Sequence, residues 1–315
     1  MISCPVCQST ITQFYGKRYD DRYAYPGTFD LLRCTSCKHL FLDANFTPEQ
    51  LGHLYSSYYP RSSFNVEQYQ PHTEVEGFRA WLNGYKSSTF RWVPRSVRVL
   101  DIGCGFGQSL GYHQARGCEV YGVEADENIR RVAEKFDYKV HVGLFDPAQY
   151  PDGFFDYVTM DQVIEHVTDP LSTFSGVAKI LKSGGRLVLS TPNANGWGAK
   201  TFGRRWINWH TPYHLQFFSK RSIKLAAEQA GLSLLEVKTI TNSEWIFYQW
   251  IHAGMFPAQG ERSVFWAPNI KKTRLQSLML RVLLIMHKTK INHLLTRVFD
   301  AIGLGDNYLM IFKKP

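Results

Sequence analysis

Hydrophobic positions in the middle of the chain fall in short runs separated by amphipathic stretches. Apolar runs near 97–102, 119–124, 138–142, 155–160 and 185–191 predict strands. Between them, 108–115, 127–136 and 169–182 carry helical spacing. Such alternation predicts a parallel sheet covered on both faces, with a ligand at the carboxyl ends of its strands. A helix at 219–230, stopped by Gly231, precedes a strand near 233–240, and Asn307 to Lys313 is expected to return as an antiparallel edge. Upstream, Thr47 caps a predicted helix over 47–59 with Pro48 at its first position. Leu51, Leu54, Tyr55 and Tyr58 share one face of it. Residues 60–72 read as a linker or lid, and a helix over roughly 73–92 leads into the first strand of the sheet.

Residues 241–306 interrupt the pattern. The insert is aromatic at first (Trp245, Phe247, Tyr248, Trp250) and basic amphipathic later. Positions 275, 278, 279, 282, 283 and 286 are apolar at helical spacing, and Ile291, Leu294, Leu295, Val298 and Ile302 repeat the stripe after a break at Lys288-Thr289-Lys290. Helical apolar stripes usually face a core. Basic flanks give the composition of an interfacial helix instead. The expectation is that the insert forms the acceptor site and that its later part, 270–302, docks on an acidic membrane surface.

Composition narrows the class. The 315-residue chain is 44% hydrophobic with a formal charge of +9, which points to an anionic partner. From 245 to 300, eight basic residues stand against Glu261 and Asp300, so the insert holds much of the excess. No recognition patch with interleaved aromatics accompanies these charges, which argues against nucleic acid. No run of eighteen apolar residues is present, and MISCPVCQST lacks the regions of a secretory signal. The expected location is the cytoplasm, with peripheral contact at the inner face of the membrane.

The most informative stretch is VRVLDIGCGFGQSLGYHQARGCEVYGVEAD, residues 97–126. A strand runs into a glycine loop (Gly103, Gly105, Gly107), a helix and a second strand ending on Glu124. Glycines let the backbone turn and let a ligand approach it. The helix N-terminus offers free N–H groups. A carboxylate at the second strand's tip suits the two hydroxyls of a ribose. Dinucleotide loops place a small residue where Gln108 stands, and Asp101 would repel a pyrophosphate, so a nicotinamide dehydrogenase is disfavoured. An acid there fits a cofactor with an amino group at its loop-facing end, such as S-adenosylmethionine (SAM).

Four of the six cysteines form Cys4-Pro-Val-Cys7 and Cys34-Thr-Ser-Cys37. Two such knuckles give four thiolates at the spacing of a structural zinc ribbon with no open coordination position. Cys104 and Cys118 read as small buried side chains.

DIGCGFG with YGVEAD resembles the signature of class I SAM-dependent methyltransferases. PDGFFDYVTMDQVIEHVTDP (151–170) and GGRLVLSTPN (184–193) resemble that family's fourth and fifth strands. CPVC, CTSC, Tyr58-Tyr59 and HTPYHLQFFS (210–219) are similar to a subgroup with an N-terminal zinc ribbon, which includes deoxysugar C-methyltransferases and polysaccharide-pathway enzymes. The resemblance implies an α/β fold: a Rossmann-like doubly wound sheet of seven strands with the last antiparallel, a small N-terminal zinc ribbon and a helical C-terminal insert. It divides the chain into a ribbon (1–45), a helical lid or linker (46–95), a SAM-binding domain (96–240 and 307–315) and the insert (241–306). Cofactor contacts are expected from Asp101, Gly103, Gly105, Gly107, Glu124 and Asp161, with Tyr58 and Tyr59 closing over the sulfonium. The subgroup's adenine-contacting acid would fall near Leu144, so the displaced Asp146 takes that part. The large C-terminal domain of the deoxysugar enzymes is missing.

Methyl transfer needs positioning and desolvation, and a base only where the acceptor must lose a proton. His214 and His210 are the leading candidates, followed by His166, with activity expected to rise through a pKa near 6–7. The acceptor class expected is a small molecule or saccharide, with a nucleotide-linked or lipid-linked sugar favoured. The alternative is a non-catalytic adaptor that binds SAM or nothing.

Overall fold

A computed structural model describes residues 2–10, 12–44, 46–58, 66–266 and 271–315. The N-terminal knuckles lead into β1 (Thr12–Arg18), β2 (Phe29–Cys34) and β3 (Leu40–Asp43), an antiparallel meander. The knuckles are built alike. Gln8 and Lys38, each one residue past its C-x-x-C, take φ of 56° and 65°. Their N–H groups donate to the carbonyls of Cys4 (2.9 Å) and Cys34 (3.0 Å). Thr47 caps α1 (Pro48–His53), and a wider turn over Leu54–Tyr58 follows it; Tyr59 lies outside the described residues.

The helix expected over 73–92 is instead α2 (Gly77–Asn83) followed by two short 3-10 turns. Gly84 ends α2 in the left-handed region, φ 70°, and a Cβ there would strike the Thr241 carbonyl and the Arg297 guanidinium. The central domain then alternates as the periodicity predicts: β4 (Arg98–Ile102), α3 (Gln108–Gln114), β5 (Glu119–Glu124), α4 (Ile129–Phe136), β6 (Lys139–Val142), β7 (Phe155–Asp161), α5 (Pro170–Ile180) and β8 (Leu181–Pro192). Asp169 caps α5 ahead of Pro170. Beyond β8 come α6 (Trp197–Phe202), β9 (Gln216–Phe217), α7 (Lys220–Gln229) and β10 (Ser233–Thr239). The insert supplies α8 (Ser243–Gly254), α9 (Arg274–Lys288) and α10 (Ile291–Ala301), and β11 (Asn307–Lys313) closes the chain.

The seven-stranded sheet runs β10-β11-β8-β7-β4-β5-β6. β11 is antiparallel to both neighbours, and the other pairings in the sheet are parallel. It is not the edge that its terminal position suggested. It is wedged between β10 and β8, where Leu309, Met310 and Phe312 are fully buried. The order reverses between β4 and β7, which opens a crevice at the carboxyl ends of those strands.

The N-terminal meander is not free-standing. β9, from the segment after β8, adds as its fourth strand beside β3. The buried His39 ring bridges Gln216 (2.9 Å) and Ser222 (3.3 Å), and Gln229 donates to the Val6 carbonyl. Cys4, Val6, Cys34, Cys37 and Phe41 therefore share one apolar core with α7.

In the insert, the expected stripes divide. Leu283 is buried and Met279 and Met286 pack beside Ile251 and Met255 of the α8 region, while Leu275, Leu278 and Val282 face outward. On α10 the whole predicted stripe is exposed. Among the described residues, no helix is long and apolar enough to cross a membrane.

Candidate active site

The glycine loop sits at the crevice. Gly103 and Gly105 are both solvent-exposed at φ 75° and 55°. A Cβ on Gly103 would come within 2.5 Å of Val163 Cγ2, whereas one on Gly105 would meet nothing within 4 Å. Open space over an exposed, left-handed backbone is what a closely approaching ligand requires. The loop is tied to β5: the N–H groups of Gly103 and Cys104 donate to the Val123 carbonyl at 2.8 and 3.1 Å. Glu124, half-buried, accepts Gly105 N–H on one carboxylate oxygen and Asp126 N–H on the other, both at 2.9 Å. That fixes its orientation and leaves a further lone pair on each oxygen for ribose hydroxyls. Gly107 ends the loop as the cap of α3.

Asp101 and Asp161 lie near the carboxyl ends of the adjacent strands β4 and β7. Asp101 is buried and accepts hydroxyl hydrogens from Ser109 and from Thr159 (2.7 Å). Burial raises its pKa to about 6, with Asp161 and Glu124 adding to the rise. Asp161 accepts from Ser190 Oγ (2.5 Å) and Thr89 N–H (3.0 Å), and burial pushes it up as well. Three carboxyls crowd one crevice, and a cationic ligand relieves that repulsion. Asp146 is exposed, with its oxygens engaged by Ala148 N–H (2.9 Å) and Gln149 (3.3 Å), which lowers its pKa. Leu144, two residues earlier, is 82% exposed at the tip of β6.

The three histidines converge. The His166 and His214 rings lie 4.6 Å apart edge-on, and His210 is 5.0 Å from His214. His166 Nδ1 is 2.9 Å from the Tyr213 carbonyl, and His214 Nδ1 is 2.8 Å from the Asn208 carbonyl. A carbonyl only accepts, so both Nδ1 atoms carry the proton and both Nε2 atoms present lone pairs. The expected titration near 6–7 does not hold, because burial lowers His166 to about 4 and takes His210 and His214 well below the ordinary imidazole value. All three are neutral at pH 7.

Several partners were not legible in the sequence. Glu165 is buried beside His166; one carboxyl oxygen accepts from Thr191 (3.0 Å), and burial raises its pKa to about 8. Glu165, His166 and His214 place ligand atoms within 4.8 Å of one another, a set that could also hold a metal ion. Because Ser190 bonds Asp161 and Thr191 bonds Glu165, consecutive residues of β8 join the acid cluster to the histidine cluster. Tyr23, from the β1–β2 connection, packs edge-on against Tyr213 (5.7 Å) and His210 (6.1 Å) with Leu54 and Tyr58 beside it. Arg22 lies 4.4 Å over the Trp266 ring of the insert. Buried Asp306 holds the His210 loop through the Trp206 indole (3.0 Å) and Asn208 (3.4 Å). Glu165 directly precedes His166 in the chain, but Tyr23, Arg22, Thr191 and Asp306 come from distant segments and have no spacing signal. A cavity of about 1030 Å³ between α2, β10 and α10 is lined by none of the site residues named above.

At the N-terminus, Cys4–Cys37 and Cys7–Cys34 sulfur pairs lie 3.6 and 3.4 Å apart, and all four sulfurs fall within 4.8 Å of one another. Disulfides would be about 2 Å long. Zn–S bonds of about 2.3 Å put tetrahedral sulfurs about 3.8 Å apart, which these thiols match.

Fold and crevice together define a domain of the doubly wound class, with an open crevice at the carboxyl ends of β4 and β5. A methyltransferase-domain family model matches residues 73–237, just over half of the chain. The chain belongs to this methyltransferase family, and its domain is that of a SAM-dependent methyltransferase. It is similar to the ubiquinone biosynthesis O-methyltransferase of Aromatoleum aromaticum, 36% identical over 117 residues that cover 33% of this chain and 50% of that one. The corresponding enzyme of Xanthomonas axonopodis pv. citri is 33% identical over 171 residues, 49% of this chain and 70% of that one. The chain thus spans about half the length of the first of these relatives. Among solved structures, a putative methyltransferase in complex with the Trm112 activator of Haloferax volcanii aligns with a TM-score of 0.48 at 18% identity, covering 75% of this chain and 91% of that one.

Proposed function

We propose that this chain methylates a hydroxyl oxygen of a small-molecule acceptor held between the glycine loop and the histidine cluster. One observation carries the reading: the β8 pair Ser190-Thr191 joins the acids at the carboxyl ends of the sheet to a histidine pair whose Nδ1 atoms are held by carbonyls, leaving Nε2 lone pairs unprotonated. In this reading Gly103, Gly105 and Gly107 line the cofactor, Glu124 holds the ribose, and Asp101 and Asp161 favour its cationic end. Tyr58, beside Tyr23 and Tyr25, closes the site from the lid side, and Asp146 or the exposed Leu144 meets the adenine. SAM supplies a methyl group on a sulfonium, which leaves as a neutral thioether. His214 or His166 accepts the acceptor's hydroxyl proton at Nε2, and His210 with Tyr213 and Tyr23 walls the cluster off from water.

The named O-methyltransferase relatives favour oxygen as the acceptor atom. They lend nothing to a nucleotide-linked or lipid-linked sugar, the acceptor expected from the ribbon subgroup, and the adaptor alternative leaves the histidine pair without a task. The four N-terminal thiols are proposed to hold one structural zinc, which orders the ribbon (1–45) so that Tyr23 reaches the site. Native mass spectrometry for co-purified SAM or S-adenosylhomocysteine tests cofactor use. Methyl transfer to a panel of phenols, nucleotide sugars and lipid-linked sugars then tests the acceptor. Turnover of sugars with none of phenols would refute the class proposed.

A further inference from the structure

α10 is inverted relative to a soluble surface helix. Its inward face is polar: Asn292, His293, Thr296 and Arg297 are all buried. Arg297 pairs with Asp300 (3.0 Å) and donates to the Trp81 and Thr241 carbonyls. Its outward face is aliphatic, with Ile291, Leu294, Leu295 and Val298 exposed and Ile302 just beyond its end. Val298, at the middle of that stripe, is 56% exposed. α9 adds a second outward stripe, Leu275, Leu278, Val282 and Ile285, at spacings of three, four and three residues. Scattered exposed aliphatics are ordinary, but eight in stripes on two consecutive helices, with Ile302 beside them, mark a surface that something covers.

The charges identify what covers it. From Lys271 to Phe299 the chain holds seven basic residues and no acid. Arg274, Arg281 and Lys288, seven residues apart, run beside the α9 stripe, and all three are exposed. A two-fold contact with a second copy would set these cations against themselves, with only Glu244 of α8 as a nearby exposed carboxylate. Anionic headgroups supply the missing charge while the aliphatic stripes enter the acyl boundary. Near Leu295 an apolar cleft of about 370 Å³ opens, lined by Trp197, Phe202, Trp250 and Phe299. α2, packed on α10, exposes Phe78 and Trp81 with rings 5.4 Å apart, side chains suited to a membrane–water boundary.

We propose that the α9–α10 face docks on an anionic lipid surface, as a peripheral contact. This rests on the insert and the elements packed beside it, and is independent of the acceptor assigned above. The test is flotation of the full chain with vesicles of phosphatidylcholine containing a third phosphatidylglycerol, against pure phosphatidylcholine, at low and high salt. Flotation confined to the anionic vesicles, weakened by salt, is the expected result. Replacing Arg274, Arg281 and Lys288 by Gln should lower the partition coefficient about a hundredfold, near fivefold for each basic residue removed. Val298→Asp should abolish binding while SAM affinity and melting temperature stay at parent values; if that variant melts, Leu278→Asp on the other stripe replaces it. No flotation with anionic vesicles at low salt overturns the proposal. So does a dimer in sedimentation velocity that Val298→Asp splits in a chain that never floats, which would assign the face to a second copy.

Discussion

Glu124→Ala is the sharpest test of the cofactor site. The carboxylate is oriented by accepting Gly105 and Asp126 N–H groups at 2.9 Å each, and in the proposed reading its remaining lone pairs take the ribose hydroxyls. Alanine removes both kinds of contact at once. Hydrogen bonds to a charged group are worth about 1.5–3 kcal/mol each. Two ribose bonds would sum to more, but water reaches this half-buried carboxylate, so a net loss of about 2–3 kcal/mol is expected, roughly a hundredfold in Kd. Glu124→Gln separates the contributions. Its amide oxygen satisfies one loop N–H, while its NH₂ group faces the other donor, so its affinity should fall between parent and alanine. Isothermal titration calorimetry with S-adenosylhomocysteine reads both variants, with thermal melting as the control for folding. Unchanged affinity in a fully folded Glu124→Ala protein would refute the ribose assignment.

Metal analysis of the purified chain should find about one zinc per chain, and Cys34→Ser should lose it with a fall in melting temperature, since Cys34 and Cys37 share a core with α7. Retention of both metal and stability in that variant would count against the site. His214→Ala and His166→Ala should each lower kcat by a factor of about 100 or more with cofactor affinity intact; full turnover in both would leave a base-free transfer. Because burial holds His166 near 4, that group should produce no limb in the pH–rate profile between pH 5 and 8. His113 offers a stability test away from the site. It is fully buried, neither ring nitrogen has a hydrogen-bond partner among the described residues, and burial lowers its pKa to about 3. Its folded pKa lies below the unfolded value of 6.5, so acidification from pH 7 protonates the unfolded chain first and destabilises the fold. His113→Leu removes that linkage, so its advantage over the parent in chemical denaturation should grow by about 2 kcal/mol between pH 7 and pH 5. A constant difference across that range would contradict the buried, neutral imidazole.

Local pattern was enough for the elements that bury an apolar face against their own neighbours in sequence. The strand and helix periods between Val97 and Pro192 set the parallel sheet, and the glycines, Asp101 and Glu124 lie within one strand–loop–helix–strand unit whose geometry is local. The paired knuckles are local too, with positive φ following each C-x-x-C. Tertiary structure decided what joins distant segments. β11 looked terminal because it is last in the chain, yet pairing with both β8 and β10 satisfies its backbone on two sides and buries its side chains. Gly84 divided a helix because Arg297, more than two hundred residues later, needs that space to reach the Thr241 carbonyl. The histidine cluster draws on the segment after β7, the loop before β9 and the connection between β1 and β2, so no spacing rule could foretell His214 beside His166 or Tyr23 beside His210. The stripe on α10 shows the same limit most clearly. Periodicity fixes which residues share a face, but only the buried polar contacts of Arg297, Thr296 and Asn292 determine that the apolar face is the one turned outward.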